Sequence, residues 1–179
     1  MGRIANHAIN LAACAAAIVL AANVSAHPRM RLRSPAFAAG APIPEQYTCS
    51  GKDISPPLEI DGIPPAAKSL VLVVDDPDAP SGTFEHWVVY NMPPNTTLIP
   101  AGVAPGATMP GGGQQGRNDF GRLGYGGPCP PPGAAHHYRF WLFALSSTIT
   151  PASPDAREIQ RAMQGHVVES AETTGTFGR

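Results

Sequence analysis

The chain has 179 residues, 43% of them hydrophobic, with a formal net charge of -1. That length fits one domain with a real core, and the mixed charge excludes both a disordered chain and the basic footprint of a nucleic-acid binder. Glycine and proline are both abundant (19 and 21 residues), which favours a turn-rich β fold over a helical bundle.

In chain order, the first element is a leader. Arg3 and His7 open a weakly positive start, Leu11 to Ala22 is almost wholly apolar, and Val24-Ser25-Ala26 places small residues before a cleavage site at His27. The apolar run falls short of the ~20 residues that a membrane-spanning helix needs. Residues 1–26 are therefore expected to be a secretory signal peptide and 27–179 a single exported domain, periplasmic or secreted. Cys14 lies inside the apolar run, which continues past it, so a lipoprotein signal is the weaker reading. The mature chain then keeps Cys49 and Cys129. Two cysteines in an exported protein invite a disulfide; the alternative is two thiols too far apart to bridge. No Cys-x-x-Cys pair points to a zinc site or a dithiol redox motif.

Ser69 to Val74 reads as a buried strand, with Pro64-Pro65 before it and Asp75-Asp76-Pro77 closing it. His86 to Met92 is a second strand, stopped by Pro93-Pro94. Tyr138 to Leu145 is a third, apolar on both faces apart from Arg139, as a strand covered from two sides would be. Gln46 to Cys49 and Leu58 to Ile60 are weaker strand candidates. Thr96 to Gln115 is a long Gly/Pro/Ala-rich connection, and such loops are either functional or mobile. Near the end, Ser153 as N-cap, Pro154 at the first position and an apolar stripe from Ile159 to Ala171 predict a helix stopped by Gly175, with Gly165 bending or splitting it. Runs of strands without βαβ alternation predict two antiparallel sheets.

The polar chemistry sits at strand ends. Asp76 and Asp78 flank Pro77, His86 opens the second strand, and His136 opens the third. Asp-Pro-Asp alone is a turn stabiliser, and a lone histidine beside Trp87 is a structural one. Three polar–proline clusters at strand ends are harder to explain by packing. If the strands pair, Asp76 meets the histidines at one sheet edge and orients an imidazole, holding it protonated. Imidazolium and backbone N–H groups, the latter brought close by Gly126 and Gly127, suit an anion such as phosphate. Binding is then expected to strengthen as the pH falls through about 6.5. His86, His136 and Asp76 also make three metal ligands, so a metal-dependent hydrolase is a lesser alternative, though their spacing is unspecific. No Gly-x-Ser-x-Gly motif supports a serine hydrolase. The expectation is a binding protein, with no cofactor and no catalytic residue.

These motifs, Asp76 to Pro80 with His86-Trp87, and Asn118 to Gly121 followed by Gly124 to Pro131, Gly133, His136, Tyr138 and Phe140, resemble the phosphatidylethanolamine-binding protein family in its bacterial Raf-kinase-inhibitor-like branch. Tyr47-Thr48-Cys49 and Gly175 to Arg179 support the likeness. It implies a β-sandwich with a few peripheral helices. It also implies a small anion pocket lined by Asp76, His86, His136 and Tyr138, with Gly127, Cys129 and Pro130 on its rim, for phosphorylated head groups or nucleotide-like ligands. The chain departs from the family pattern at His137, where arginine is usual. An exported inhibitor or interaction module acting on a protein partner through its loops is the alternative reading.

Overall fold

The computed structural model describes residues 28–179, so the expected leader and Cys14 lie outside the described residues. In chain order the strands are β1 (Arg31–Arg33), β2 (Leu58–Asp61), β3 (Ser69–Asp76), β4 (Phe84–Met92), β5 (Leu98–Ile99), β6 (Gln114–Gln115), β7 (His136–Leu145) and β8 (Val167–Phe177). They form two antiparallel sheets, β1-β2-β5 and β6-β4-β3-β7-β8. One α-helix, α1 (Ala156–Met163), precedes β8. No helix among the described residues is long and apolar enough to cross a membrane.

β3, apolar without interruption from Leu70 to Val74, sits at the centre of the large sheet and is buried on both faces. Alternation sorts its neighbours. Leu70, Leu72 and Val74 join Trp87, Phe140 and Leu142 in the core shared with Leu58, Ile60 and Ile99 of the small sheet. Val71 and Val73 face the other way, onto Ile159 and Met163 of α1. Each fully buried aliphatic or phenyl side chain contributes about 1.5–3 kcal/mol.

Three elements differ from the sequence expectation. Gln46 to Cys49 is not a strand: Glu45–Tyr47 is a 3-10 turn, held by the Thr48 hydroxyl donating to the Glu45 carbonyl at 2.8 Å. The helix is shorter than expected, with 8 residues. Its N-cap is Asp155, whose carboxylate accepts from Glu158 N–H at 3.0 Å, and Ser153 in turn donates to Asp155. It ends before Gly165, whose φ of +77° turns the chain back. The remaining stretch through Gly175 is β8, because Val167, Val168, Thr173, Thr174 and Thr176 suit a pleated surface and pairing with β7 runs from Leu145–Val167 to His136–Phe177. The Thr96–Gln115 connection, for its part, is pinned. The buried Gln115 side chain donates to the carbonyls of Ala104, Gly106 and Thr108 and accepts from Trp87 Nε1 at 2.8 Å.

Candidate functional site

Pairing brings the polar strand ends together. The β3–β7 register sets Asp75 opposite Arg139, and alternation then divides the side chains between the two faces. On one face Arg139 grips Asp75 with two hydrogen bonds, 2.7 and 2.8 Å long. On the other lie Asp76, His136 and Tyr138. His136 Nδ1 donates to Asp76 Oδ2 at 2.8 Å, and the Asp78 backbone N–H donates to Asp76 Oδ1 at 2.9 Å, so both carboxylate oxygens are engaged. A second, exposed pair stands beside them: Asp78 Oδ2 accepts from both the backbone N–H and Nδ1 of His137. The hydrogen bond from the His137 backbone comes first among the causes that hold Asp78 below the usual carboxylate range.

His86 reaches the same place through a β-bulge. Val74 pairs with Trp87 and Asp75 with Glu85, so β4 spends one extra residue there, and that residue is His86. A regular strand would send Trp87 and His86 to opposite faces. The bulge keeps Trp87 in the core and turns His86 towards Tyr138, with ring centroids 5.2 Å apart and edge-on. The bulged backbone is satisfied by the loop after β6. Gly126 N–H and the Asn118 amide donate to His86 O, and Asp119 N–H donates to Glu85 O. His86 Nδ1 donates to Gly126 O at 2.7 Å, a partner that can only accept. Burial dominates over this bond and over the Asp76 charge, and holds the His86 pKa below its ordinary value.

Between these groups opens a cavity of about 170 Å³, with Asp76, His86 and His136 in its lining and Phe84, Phe120, Cys129 and Pro130 around them. Tyr138 does not line it. Its hydroxyl is fully buried beside Asp76, and burial, then the Asp76 charge, pushes its pKa up. Gly127 is also outside the lining. Its N–H donates to Asp53 Oδ1 at 2.6 Å, and a Cβ there would stand 2.7 Å from the Tyr47 carbonyl. Gly127 thus lets the rim press against the 45–53 turn and brings no amide to the cavity. Cys129 and Pro130 do form wall. Cys129 is disulfide-bonded to Cys49, and Arg179 Nε donates to Pro130 O at 2.7 Å. Sequence reading did not single out Phe84 or Phe120 as site residues. Phe120 is 43% exposed, an unusual position for a phenyl ring, and packs 4.8 Å from Phe84 and 5.5 Å from His86.

Size alone points elsewhere. A cleft of about 570 Å³ lies between Glu85, Asp119 and the start of α1. It holds no histidine, whereas the Asp76–His136 pair and His86 line the smaller cavity. Among the described residues, no three His, Cys, Asp or Glu side chains are grouped to hold a metal ion. Glu85, next to the bulge, is informative about stability. Burial first, then the Asp75 and Asp119 carboxylates, push its pKa up to about 7. The folded chain therefore keeps this proton to higher pH than the unfolded chain does. The contribution is full below about 4.5 and is lost as the pH rises through about 7. Glu85→Gln is expected to flatten that slope and to raise stability at pH 8 by about 1–2 kcal/mol, after allowance for solvent screening. Urea denaturation of both proteins at pH 5 and pH 8 checks it, and an unchanged pH slope would reject the assignment.

Comparison with known proteins adds to this geometry. The profile of the family described as "Phosphatidylethanolamine-binding protein" matches residues 33–178. A UPF0098 protein of Methanothermobacter thermautotrophicus is 47% identical over 152 residues, covering 84% of this chain and 99% of the relative. A UPF0098 protein of Pyrococcus horikoshii is 50% identical over 142 residues, 76% of this chain and 71% of the relative. A crystal structure of a putative phosphatidylethanolamine-binding protein homolog from Chlamydia trachomatis superposes with a TM-score of 0.77 at 39% identity, covering 84% of this chain and 98% of that one.

Proposed function

The chain belongs to the phosphatidylethanolamine-binding protein family, and on that premise we propose that it is an exported binding protein whose small cavity takes phosphate-type ligands. It acts by binding, without turning a substrate over. The observation that carries the reading is the convergence of the Asp76–His136 pair and the bulge-directed His86 on one cavity of about 170 Å³, large enough for a phosphate group and a few more atoms. Export rests on the leader-like composition of residues 1–26 and on a disulfide that suits an oxidising compartment.

The test is an NMR titration of the mature protein with phosphoethanolamine, following the imidazole signals of His86 and His136. Saturable shifts at both histidines are expected, and His86→Ala is expected to weaken binding at least tenfold while the amide spectrum stays folded. Silent imidazoles up to millimolar ligand would remove the pocket assignment.

A further inference from the structure

We infer that the cavity selects a phosphomonoester in its singly protonated form, with the ligand donating its own P–OH hydrogen to His86 Nε2, so that the diester phosphate of an intact phospholipid is the wrong chemistry. The inference rests on the reading of this cavity as a phosphate site and names the ligand species within it.

A phosphate dianion offers only acceptors and needs several donors around it. This cavity is poor in donors. No lysine or arginine lines it, while one carboxylate, Asp76, does. Three of its lining residues, Pro80, Pro130 and Pro131, have no N–H at all. The glycine amides that would have served are spent, Gly126 on His86 O and Gly127 on Asp53. His86 itself is an acceptor. The Gly126 carbonyl fixes the proton of the neutral ring on Nδ1, which leaves a lone pair on Nε2 of a residue that lines the cavity. That ring is 3% exposed and ringed by Phe84, Phe120 and Tyr138, surroundings that favour the uncharged form.

The charged and titratable groups near His86 are Asp76 from β3, His136 and Tyr138 from β7, Glu85 and Asp119 from the flanking backbone, and Arg122, whose guanidinium lies over the Phe120 ring. Arg122 is paired with Asp53 and does not line the cavity. Both Asp76 oxygens already accept hydrogen bonds. Cys129 is in the disulfide and does not titrate. A ligand that keeps one phosphate proton supplies the donor that His86 lacks and brings half the negative charge near Asp76.

The experiment compares four probes on the mature protein by calorimetry: phosphoethanolamine, the near-isosteric 2-aminoethyl sulfate, glycerophosphoethanolamine and ethanolamine. The sulfate is a monoanion with no acidic proton at any pH used, and the glycerol diester represents the lipid source. At pH 5.5, phosphoethanolamine is expected to bind at least tenfold more tightly than the sulfate or the diester. Its affinity is expected to fall about tenfold per pH unit above the second phosphate pKa near 6. The ¹⁵N shift of His86 Nε2 in the complex should be that of an unprotonated nitrogen. Equal binding of phosphate and sulfate esters would overturn the inference and leave the anion site standing, since protonation of His86 or His136 would favour both esters alike. A protonated Nε2 in the complex, or undiminished affinity at pH 8, would overturn it too. Binding of ethanolamine as tight as that of phosphoethanolamine, or no binding of any probe, would overturn the phosphate reading with it.

Discussion

Replacing both cysteines, Cys49→Ser with Cys129→Ser, is expected to destabilise the protein by about 4 kcal/mol and to lower its Tm by about 10 °C. The bond closes a long loop, with a sequence separation of 80, and in the chain-entropy view the cost of leaving such a loop open grows with the logarithm of its length. It also adds a covalent tie between two segments otherwise joined by hydrogen bonds and one ion pair. The 45–53 turn meets the cavity wall through Cys49 N–H donating to Pro128 O, Asp53 accepting from Gly127 N–H, and this covalent link. Without it the wall formed by Cys129 and Pro130 would rely on those hydrogen bonds and on the tie of Arg179 to Pro130 O. Thermal denaturation of both proteins, with and without reductant, is the check. Reductant should bring the parent down to the variant and leave the variant unmoved. A difference in Tm below 2 °C would show that the turn and wall are held by packing alone.

Asp76→Ala is the second large effect. It is expected to cost about 3 kcal/mol of stability and to abolish measurable phosphoethanolamine binding. The carboxylate is nearly buried, and its loss strands two donors at once, His136 Nδ1 and the Asp78 backbone N–H. The exposed pair provides an internal control. Asp78→Ala breaks an equally short contact with His137, but in water, and is expected to cost less than about 1 kcal/mol. Chemical denaturation of the two variants separates the cases, and equal costs would mean that burial does not distinguish the two Asp–His pairs.

The strands that carry the site were legible in the sequence because their signals are local. β3, β4 and β7 each hold an apolar run, the first closed by Asp75-Asp76-Pro77 and the second by Pro93-Pro94, and Asp76 and His136 sit at the ends of two of them. What stayed hidden depends on partners. The helix-like stripe of Ile159, Ala162, Met163, His166, Val167, Ser170 and Ala171 runs on from α1 into β8; pairing with β7 from Val167 onward decided for the strand. The shortage of donors in the cavity was hidden for the same reason. Gly126 and Gly127 read as amides open to a ligand, and only the fold shows Asp53 and the His86 carbonyl already holding them. Whether Cys49 and Cys129 meet depends on the distance between two loops, which no spacing along the chain encodes.

The bulge in β4 has a bearing on how sequences of this kind should be aligned. Between Phe84 and Trp87 the strand carries one residue more than β3 needs opposite it. Deleting that residue would restore a regular ladder, leave Trp87 in the core and cost the sheet little. It would also remove the only imidazole that β4 presents to the cavity. A relative with a single-residue gap at this point would therefore share the architecture and lack the pocket, and a substitution matrix would score it as nearly the same protein. For grouping such chains by what they bind, the length of this short segment is a better character than overall identity.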